Sequence, residues 1–228
     1  MSIPFYVSPE QLMKDKSDYA RKGITRGKSV IGLTYADGIL FVAENPSATL
    51  HKISEIYDRV AFAAVGKFNE FESLRMHGIR QADIRGYSYS RHDVSARGLA
   101  NSYSQILGQI FTEALKPFEV EILVAAVGDE PAANELYRIL YDGSVSDEDD
   151  YVAMGGRAED LATHLKDHFK PGLSMTDGIR LGYNALKEVE SRELPPSGNL
   201  EVAVLDRNLE RRKFRRLANK EVADILNA

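Results

Sequence analysis

The chain has 228 residues, with 29 Lys and Arg against 34 Asp and Glu, and it contains no Cys and no Trp. Its length fits one sizeable domain, and a net charge of −5 gives no reason to expect a nucleic-acid partner. The lack of cysteine excludes disulfides, thiolate metal sites and cysteine nucleophiles. No window approaches the roughly 18 apolar residues of a membrane-spanning helix, and the N-terminus lacks the features of a secretory signal. We therefore expect a cytoplasmic protein with no membrane partner.

Helical and strand patterns follow one another in blocks along the chain. A helix is predicted over 9–22, because Ser8 can cap its start, Pro9 suits the first helical position and Gly23 can end it. Asp37-Gly38 between two apolar runs predicts a hairpin. The predicted strands are 29–35, 38–44, 52–57, 59–65, 119–127, 135–141, 150–154, 200–206 and 211–217. The further predicted helices are 67–82, 94–115, 158–169, 175–191 and one that starts at Asn219.

This order of elements indicates the fold class. Strands that come in pairs predict antiparallel sheets, and the blocks of helices between them must cover the outer faces of those sheets. Because strands do not alternate singly with helices, a doubly wound parallel sheet is disfavoured. The predicted fold is α+β, a four-layer αββα sandwich of antiparallel sheets with an extra N-terminal helix.

Motifs for chemistry are weak along the whole chain. His164 and His168 stand four residues apart, but a zinc protease would need Glu where Leu165 stands, so we predict no metal site and no cofactor. The basic run 211–216 lies in a segment, 201–228, with seven Lys or Arg against five Asp or Glu, and we interpret it as charge on an exposed edge strand. The acidic run 147–150 is interpreted as a solvated turn.

Three segments carry a family resemblance. They are KGITRGKSVIGLTYADGILFVAENPS at 22–47, HKISEIYDRVAFAAVGKFNEFESLR at 51–75 and KPFEVEILVAAV at 116–127. In order, they resemble a proteasome α-type subunit, and together with the opening SIPFYVSPEQ they are most similar to the bacterial, actinobacterial-type version. The resemblance implies the sandwich of N-terminal nucleophile hydrolases. It also implies a seven-membered α ring at each end of paired β rings, a 20S core.

The resemblance also bears on catalysis. Catalytic β subunits begin their first strand at a threonine whose hydroxyl attacks and whose free amine accepts the proton. Alignment with that strand puts Lys28 at the nucleophile position, so we expect no catalytic residue and a non-catalytic subunit of a threonine-type endopeptidase complex. Two alternatives stay open: a self-standing N-terminal nucleophile hydrolase processed at Thr25 or Ser29, and a metabolite-binding module that forms no ring.

The family's binding residues carry over to three places. Lys52 and Gly66 match the pocket that receives an activator's C-terminus, where an ammonium pairs with a terminal carboxylate. Residues 1–8 would form a gate segment ahead of a single domain at 9–228. The gate residues are Ser2, Ile3, Pro4, Phe5, Tyr6 and Val7. The residues aligned with the pore annulus are Thr112, Glu113 and Ala114.

The partners follow from the same resemblance. They are further copies of this chain in a heptameric ring, proteasome β subunits, and a hexameric AAA ATPase unfoldase. Substrates would be unfolded proteins, tagged by a small ubiquitin-like protein in the bacterial pathway. The expected role is a gated end ring that admits substrate to the proteolytic chamber and docks the ATPase.

Overall fold

A computed structural model describes residues 8–190 and 199–228 of the chain. The six helices of this part are α1 Pro9–Ile24, α2 Phe68–Ser88, α3 Ala96–Glu113, α4 Ala158–His168, α5 Met175–Glu190 and α6 Asn219–Asn227. Its ten strands are β1 Val30–Tyr35, β2 Gly38–Glu44, β3 Ile53–Tyr57, β4 Val60–Gly66, β5 Val120–Ala126, β6 Glu135–Ile139, β7 Val145–Glu148, β8 Tyr151–Met154, β9 Leu200–Asp206 and β10 Phe214–Arg216. None of the described helices is long and apolar enough to cross a membrane.

The strands form two five-stranded antiparallel sheets. The first has the order β10-β9-β2-β1-β8 and the second has the order β3-β4-β5-β6-β7. The β1–β2 hairpin pairs Tyr35 with Gly38 across the predicted Asp-Gly turn. Gly38 has a φ of +157°, and a Cβ there would lie 1.9 Å from the carbonyl oxygen of Leu205, so this close approach of β9 requires glycine.

Three apolar layers hold the sandwich together. The inter-sheet layer includes Phe41, Ile53 and Leu123, all fully buried. Side chains on the outer face of β4 and β5 pack under α2 and α3, and those on the outer face of β1 and β2 pack under α4, α5 and α6. Successive side chains along a strand point to opposite faces, so each of these strands contributes apolar side chains to two layers. The predicted four-layer αββα arrangement is confirmed.

The first helix begins as predicted. The backbone N–H of Gln11 donates to the Ser8 hydroxyl oxygen at 3.2 Å, and Pro9 follows the cap. Its last turns carry Ala20 and Ile24 into the inter-sheet layer. The helix therefore closes one end of the sandwich and is part of the core.

Several predicted boundaries were wrong. The acidic run is not merely a turn, because Asp147 and Glu148 belong to β7, which pairs with β6 along 145–148. The strand predicted over 211–217 is only β10, since Arg211 has a φ of +57°, a left-handed conformation that does not fit a strand. The helix predicted to end at residue 82 continues to Ser88. Pairing with β6 thus makes 147–148 a strand, and the left-handed backbone at Arg211 shortens β10.

Candidate functional site

Lys52 lies directly before β3, the edge strand of the second sheet. Its side chain is half-buried, and its Nζ donates to the carbonyl oxygen of Lys28. Its carbonyl oxygen accepts from the Ala64 N–H at 3.0 Å, which extends the β3–β4 ladder by one residue. The ammonium is thus held against the start of β1 and does not extend freely into solvent.

A buried carboxylate fixes the backbone of this lysine. Glu201, on β9, accepts from the N–H of Lys52 at 2.9 Å and from the N–H of Ile53 at 3.2 Å. Glu201 also accepts from Asn45 Nδ2 at 2.7 Å and forms an ion pair with Arg216. The guanidinium of Arg216 donates a further hydrogen bond to the carbonyl oxygen of Ile53 at 2.6 Å. Because Glu201 lies in the first sheet and Lys52 adjoins the second, the sandwich itself sets the position of Lys52. Sequence reasoning did not find Glu201, and no spacing in the sequence marks it.

Gly66 ends β4 with a φ of +109°. A Cβ there would lie 1.9 Å from the carbonyl oxygen of Glu119, and a Cβ on Gly27 would lie 3.1 Å from the Gly66 nitrogen. Only glycine fits this crossing of backbones without strain. Lys52 and Gly66 therefore both contact the segment 27–28, so the structure brings the two predicted residues to one place.

A second ion pair lies at the same place. Lys28 Nζ lies 3.2 Å from Glu44 Oε1, and Glu44 is buried. The site therefore contains two lysines, Lys28 and Lys52, beside the backbone of the segment 27–28 and of Gly66. An ammonium group can pair with a carboxylate and backbone N–H groups can bind a peptide, so this arrangement suits a chain terminus.

The serine beside the position aligned with a catalytic nucleophile is buried. Ser29, next to Lys28, is 1% exposed, and its carbonyl oxygen accepts from the Glu44 N–H at 3.2 Å. Gly155, with a φ of +109°, packs on it, since a Cβ at Gly155 would lie 3.1 Å from Ser29 Cα. A hydroxyl enclosed this way has no access to a substrate. The nitrogen of Ser29 is part of the peptide bond to Lys28, so it is not the free amine that the mechanism requires.

The residues aligned with the annulus end α3. Thr112 and Glu113 are exposed, and Ala114 is the C-cap. Lys16 of α1 is 7% exposed, and its Nζ donates to the carbonyl oxygens of Phe111 at 2.9 Å, Thr112 at 3.3 Å and Ala114 at 2.8 Å. A cation at the C-terminal end of a helix satisfies its last carbonyls, so α1 fixes the end of α3.

The remaining predictions fall in three groups. The gate residues 2–7 lie outside the described residues. His164 and His168 stack at 4.3 Å between ring centroids, and His164 Nδ1 lies 3.3 Å from Glu188 Oε2. In the described part of the chain, no group of three His, Asp or Glu side chains is placed to hold a metal ion.

Comparison with known proteins gives one consistent answer. The sequence model of the family described as "Proteasome subunit" matches residues 24–205. A protein of Streptosporangium roseum named "Proteasome subunit alpha" is 60% identical over 99% of this chain and 87% of its own length. Proteins with the same name from Kineococcus radiotolerans and Geodermatophilus obscurus are 58% and 54% identical, over 99% and 100% of this chain and 98% and 82% of their own lengths.

Proposed function

The chain belongs to the proteasome subunit family, and from that premise we propose that it is the non-catalytic α-ring subunit of a 20S core. The observation that carries the proposal is the match along nearly the whole chain to relatives named as alpha subunits, with 54–60% identity. This match confirms the resemblance to bacterial, actinobacterial-type α subunits. The chain would assemble with other proteasome subunits in the cytoplasm, as a ring of seven copies on a β ring.

The enclosed Ser29 supports a non-catalytic role. A nucleophile at the start of β1 would need a new N-terminus there, and α1 would have to be removed. Ala20 and Ile24 of α1 belong to the inter-sheet layer, so such cleavage would open the core. This argument disfavours the alternative of a processed hydrolase at Thr25 or Ser29.

Docking of an ATPase activator at Lys52 and Gly66 is the second part of the proposal. The half-buried ammonium of Lys52 would pair with the terminal carboxylate of the activator, and the backbone around Gly66 would receive the preceding residues. Glu201 holds the Lys52 backbone independently of the side chain. Replacement of the side chain should therefore remove the charge without disturbing the loop.

The gate and the annulus complete the proposed role. Ile3, Phe5 and Tyr6 cannot bury themselves within so short a segment, but seven copies around an axis could pack together and occlude a pore. Thr112, Glu113 and Ala114 would line the opening below. Substrates would be unfolded chains, tagged by a ubiquitin-like protein, that enter when the ATPase opens the gate.

The test of the ring role is native mass spectrometry of the chain co-expressed with its β subunit. We expect equal numbers of both chains in multiples of seven. A chain that remains a monomer or dimer beside the β subunit would contradict the proposal.

The test of the docking site uses the assembled particle. Lys52→Ala should abolish stimulation of peptide hydrolysis by the activator while the mass of the particle stays unchanged. The matched control is Lys22→Ala, an exposed lysine of α1, which should leave stimulation intact. Stimulation that survives Lys52→Ala would show that the carboxylate binds elsewhere.

A further inference from the structure

The two open edges of the sandwich carry charges of opposite sign. The edge strands are β3 and β7 in one sheet and β10 and β8 in the other. Arg212, just before β10, pairs with Glu55 of β3, so these two edges share one side of the molecule, and β7 and β8 lie on the opposite side. Four inter-strand spacings, about 19 Å, separate the two sides. We call the side with β3 and β10 the basic edge, and the side with β7 and β8 the acidic edge.

The basic edge contains a cleft of about 830 Å³ between the β3–β4 turn and the segment before β10. It is lined by five Lys or Arg side chains against two carboxylates. The cations are Arg59, Arg91, Arg211, Arg212 and Lys213, and the carboxylates are Glu55 and Asp58. This excess of positive charge stands out on a chain whose net charge is −5.

The cations of this cleft remain able to meet another anion. Arg91 pairs with Asp58 and Arg212 pairs with Glu55, but their side chains are 67% and 70% exposed. Arg211 is exposed and adopts the left-handed φ of +57°, which costs energy for a residue other than glycine. The turn thus presents a guanidinium at the rim of the cleft.

The acidic edge contains a cavity of about 540 Å³ of the opposite character. Five carboxylates line it against the single guanidinium of Arg97. The carboxylates are Glu135, Asp147, Glu148, Asp149 and Asp150. Asp149 and Asp150 form the exposed bend between β7 and β8, where the chain crosses from one sheet to the other.

Protection against aggregation explains charge on an edge strand, but not this separation of signs. Either sign, or a mixture, would keep strand edges from pairing. Here one edge is basic and the opposite edge is acidic, so each copy offers a complement to the next one in a head-to-tail contact. Such a heterologous contact generates a closed ring when its rotation closes.

We propose that the partner of the basic edge is a second copy of this chain, whose bend Asp149–Asp150 enters the cleft beside Arg211 and Arg212. This inference rests on the proposed ring function and specifies which two surfaces meet. The charges would set orientation and register, because a copy in the reverse orientation would face like charges. Contact through exposed charges should also weaken as salt concentration rises.

The test is a charge swap, measured by native mass spectrometry of the chain co-expressed with its β subunit. One variant carries Asp149→Arg and Asp150→Arg, a second carries Arg211→Asp and Arg212→Asp, and a third carries all four changes. Each two-site variant should lower the assembled fraction roughly tenfold or more, because like charges then face each other. The four-site variant should recover assembly.

The control carries Glu159→Arg and Asp167→Arg, two exposed acids of α4 that give the same change in net charge as the first variant. It should assemble like the wild type. Two-site variants that assemble normally, or a four-site variant that does not recover, would overturn the inference while the ring function stands. Wild-type chain that does not assemble with the β subunit would overturn both.

Discussion

At the scale of single residues, the site depends on groups that the fold buries. Glu201 binds the backbone of Lys52 and Ile53 from the opposite sheet, and Gly66 allows the backbone crossing that brings Gly27 to the same place. Lys52 and Gly66 are candidate site residues because a family resemblance marks them. Glu201 could not, since a glutamate in an apolar strand looks no different from many others until the tertiary structure brings two sheets together.

Replacement of Gly66 and of Gly172 by alanine separates the cost of a left-handed φ from the cost of a steric clash. Gly66→Ala should destabilise the protein by roughly 2–4 kcal/mol, because a left-handed φ and a clash with the Glu119 carbonyl combine. Gly172→Ala is the control, since Gly172 has a φ of +78° but nothing within 4 Å of a Cβ, and it should cost about 1–2 kcal/mol. Urea unfolding measures both values. Equal losses would mean that the close approach to Glu119 contributes nothing.

A buried carboxylate gives a pH dependence with a definite sign. Burial raises the pKa of Glu121 above its ordinary value of 4.5, and the nearby Arg138 only partly offsets this effect. A raised pKa in the folded state means that the native protein binds more protons than the unfolded chain between the two pKa values. The contribution of Glu121 to stability is therefore fully present below pH 4.5 and is lost as pH rises through the folded pKa.

Glu121→Gln removes this titration. The free energy of unfolding of the variant relative to the wild type should increase as pH rises from about 4.5 into the neutral range. Urea unfolding at several pH values measures the difference, which cancels the other carboxylates. Parallel profiles for the two proteins would contradict the raised pKa.

At the scale of elements, α1 is the helix that closes one end of the sandwich. Its start was correctly predicted from local sequence signals, the Ser8 cap and Pro9. Its role in the fold is not local, because Lys16 reaches the end of α3 and Ile24 reaches the inter-sheet layer. The β7 strand shows the converse, since an acidic sequence forms a strand only because β6 offers it a ladder.

Loss of the Lys16 ammonium should loosen the end of α3. Lys16→Met keeps the length of the side chain but removes three hydrogen bonds to carbonyl oxygens, and it should cost roughly 2–3 kcal/mol. Hydrogen exchange at 110–115 should become faster. Lys14→Met, at an exposed position of the same helix, is the control and should leave exchange unchanged. Equal protection in both variants would show that α3 holds its own end.

At the scale of the whole molecule, the sandwich is closed by helices on both faces and by α1 at one end, while its two strand edges stay open. Enclosure of Ser29 and the opposite charges of the two edges are both properties of this complete arrangement. Together they suit a non-catalytic subunit that works by assembly with other subunits.

Removal of α1 tests the enclosure directly. A chain that begins at Ser29 should lose Ala20 and Ile24 from the inter-sheet layer, and we expect a fall in Tm of more than about 10 °C or loss of cooperative unfolding. Differential scanning calorimetry measures this. A stable chain that hydrolyses peptides would instead support the processed hydrolase. Deletion of residues 2–7 alone is the control, since it retains the Ser8 cap and all of α1.

The sequence by itself determined the fold class, most of the helices and strands and the likeness to proteasome α subunits. It could do so because apolar periodicity, caps and turn residues act between near neighbours in the chain. Only the tertiary structure decided that Glu201 holds Lys52, that α1 closes the sandwich and that 147–150 and 211–213 lie on opposite edges. These features arise between residues far apart in the chain, where contact depends on how the sheets stack and on which strands become their edges.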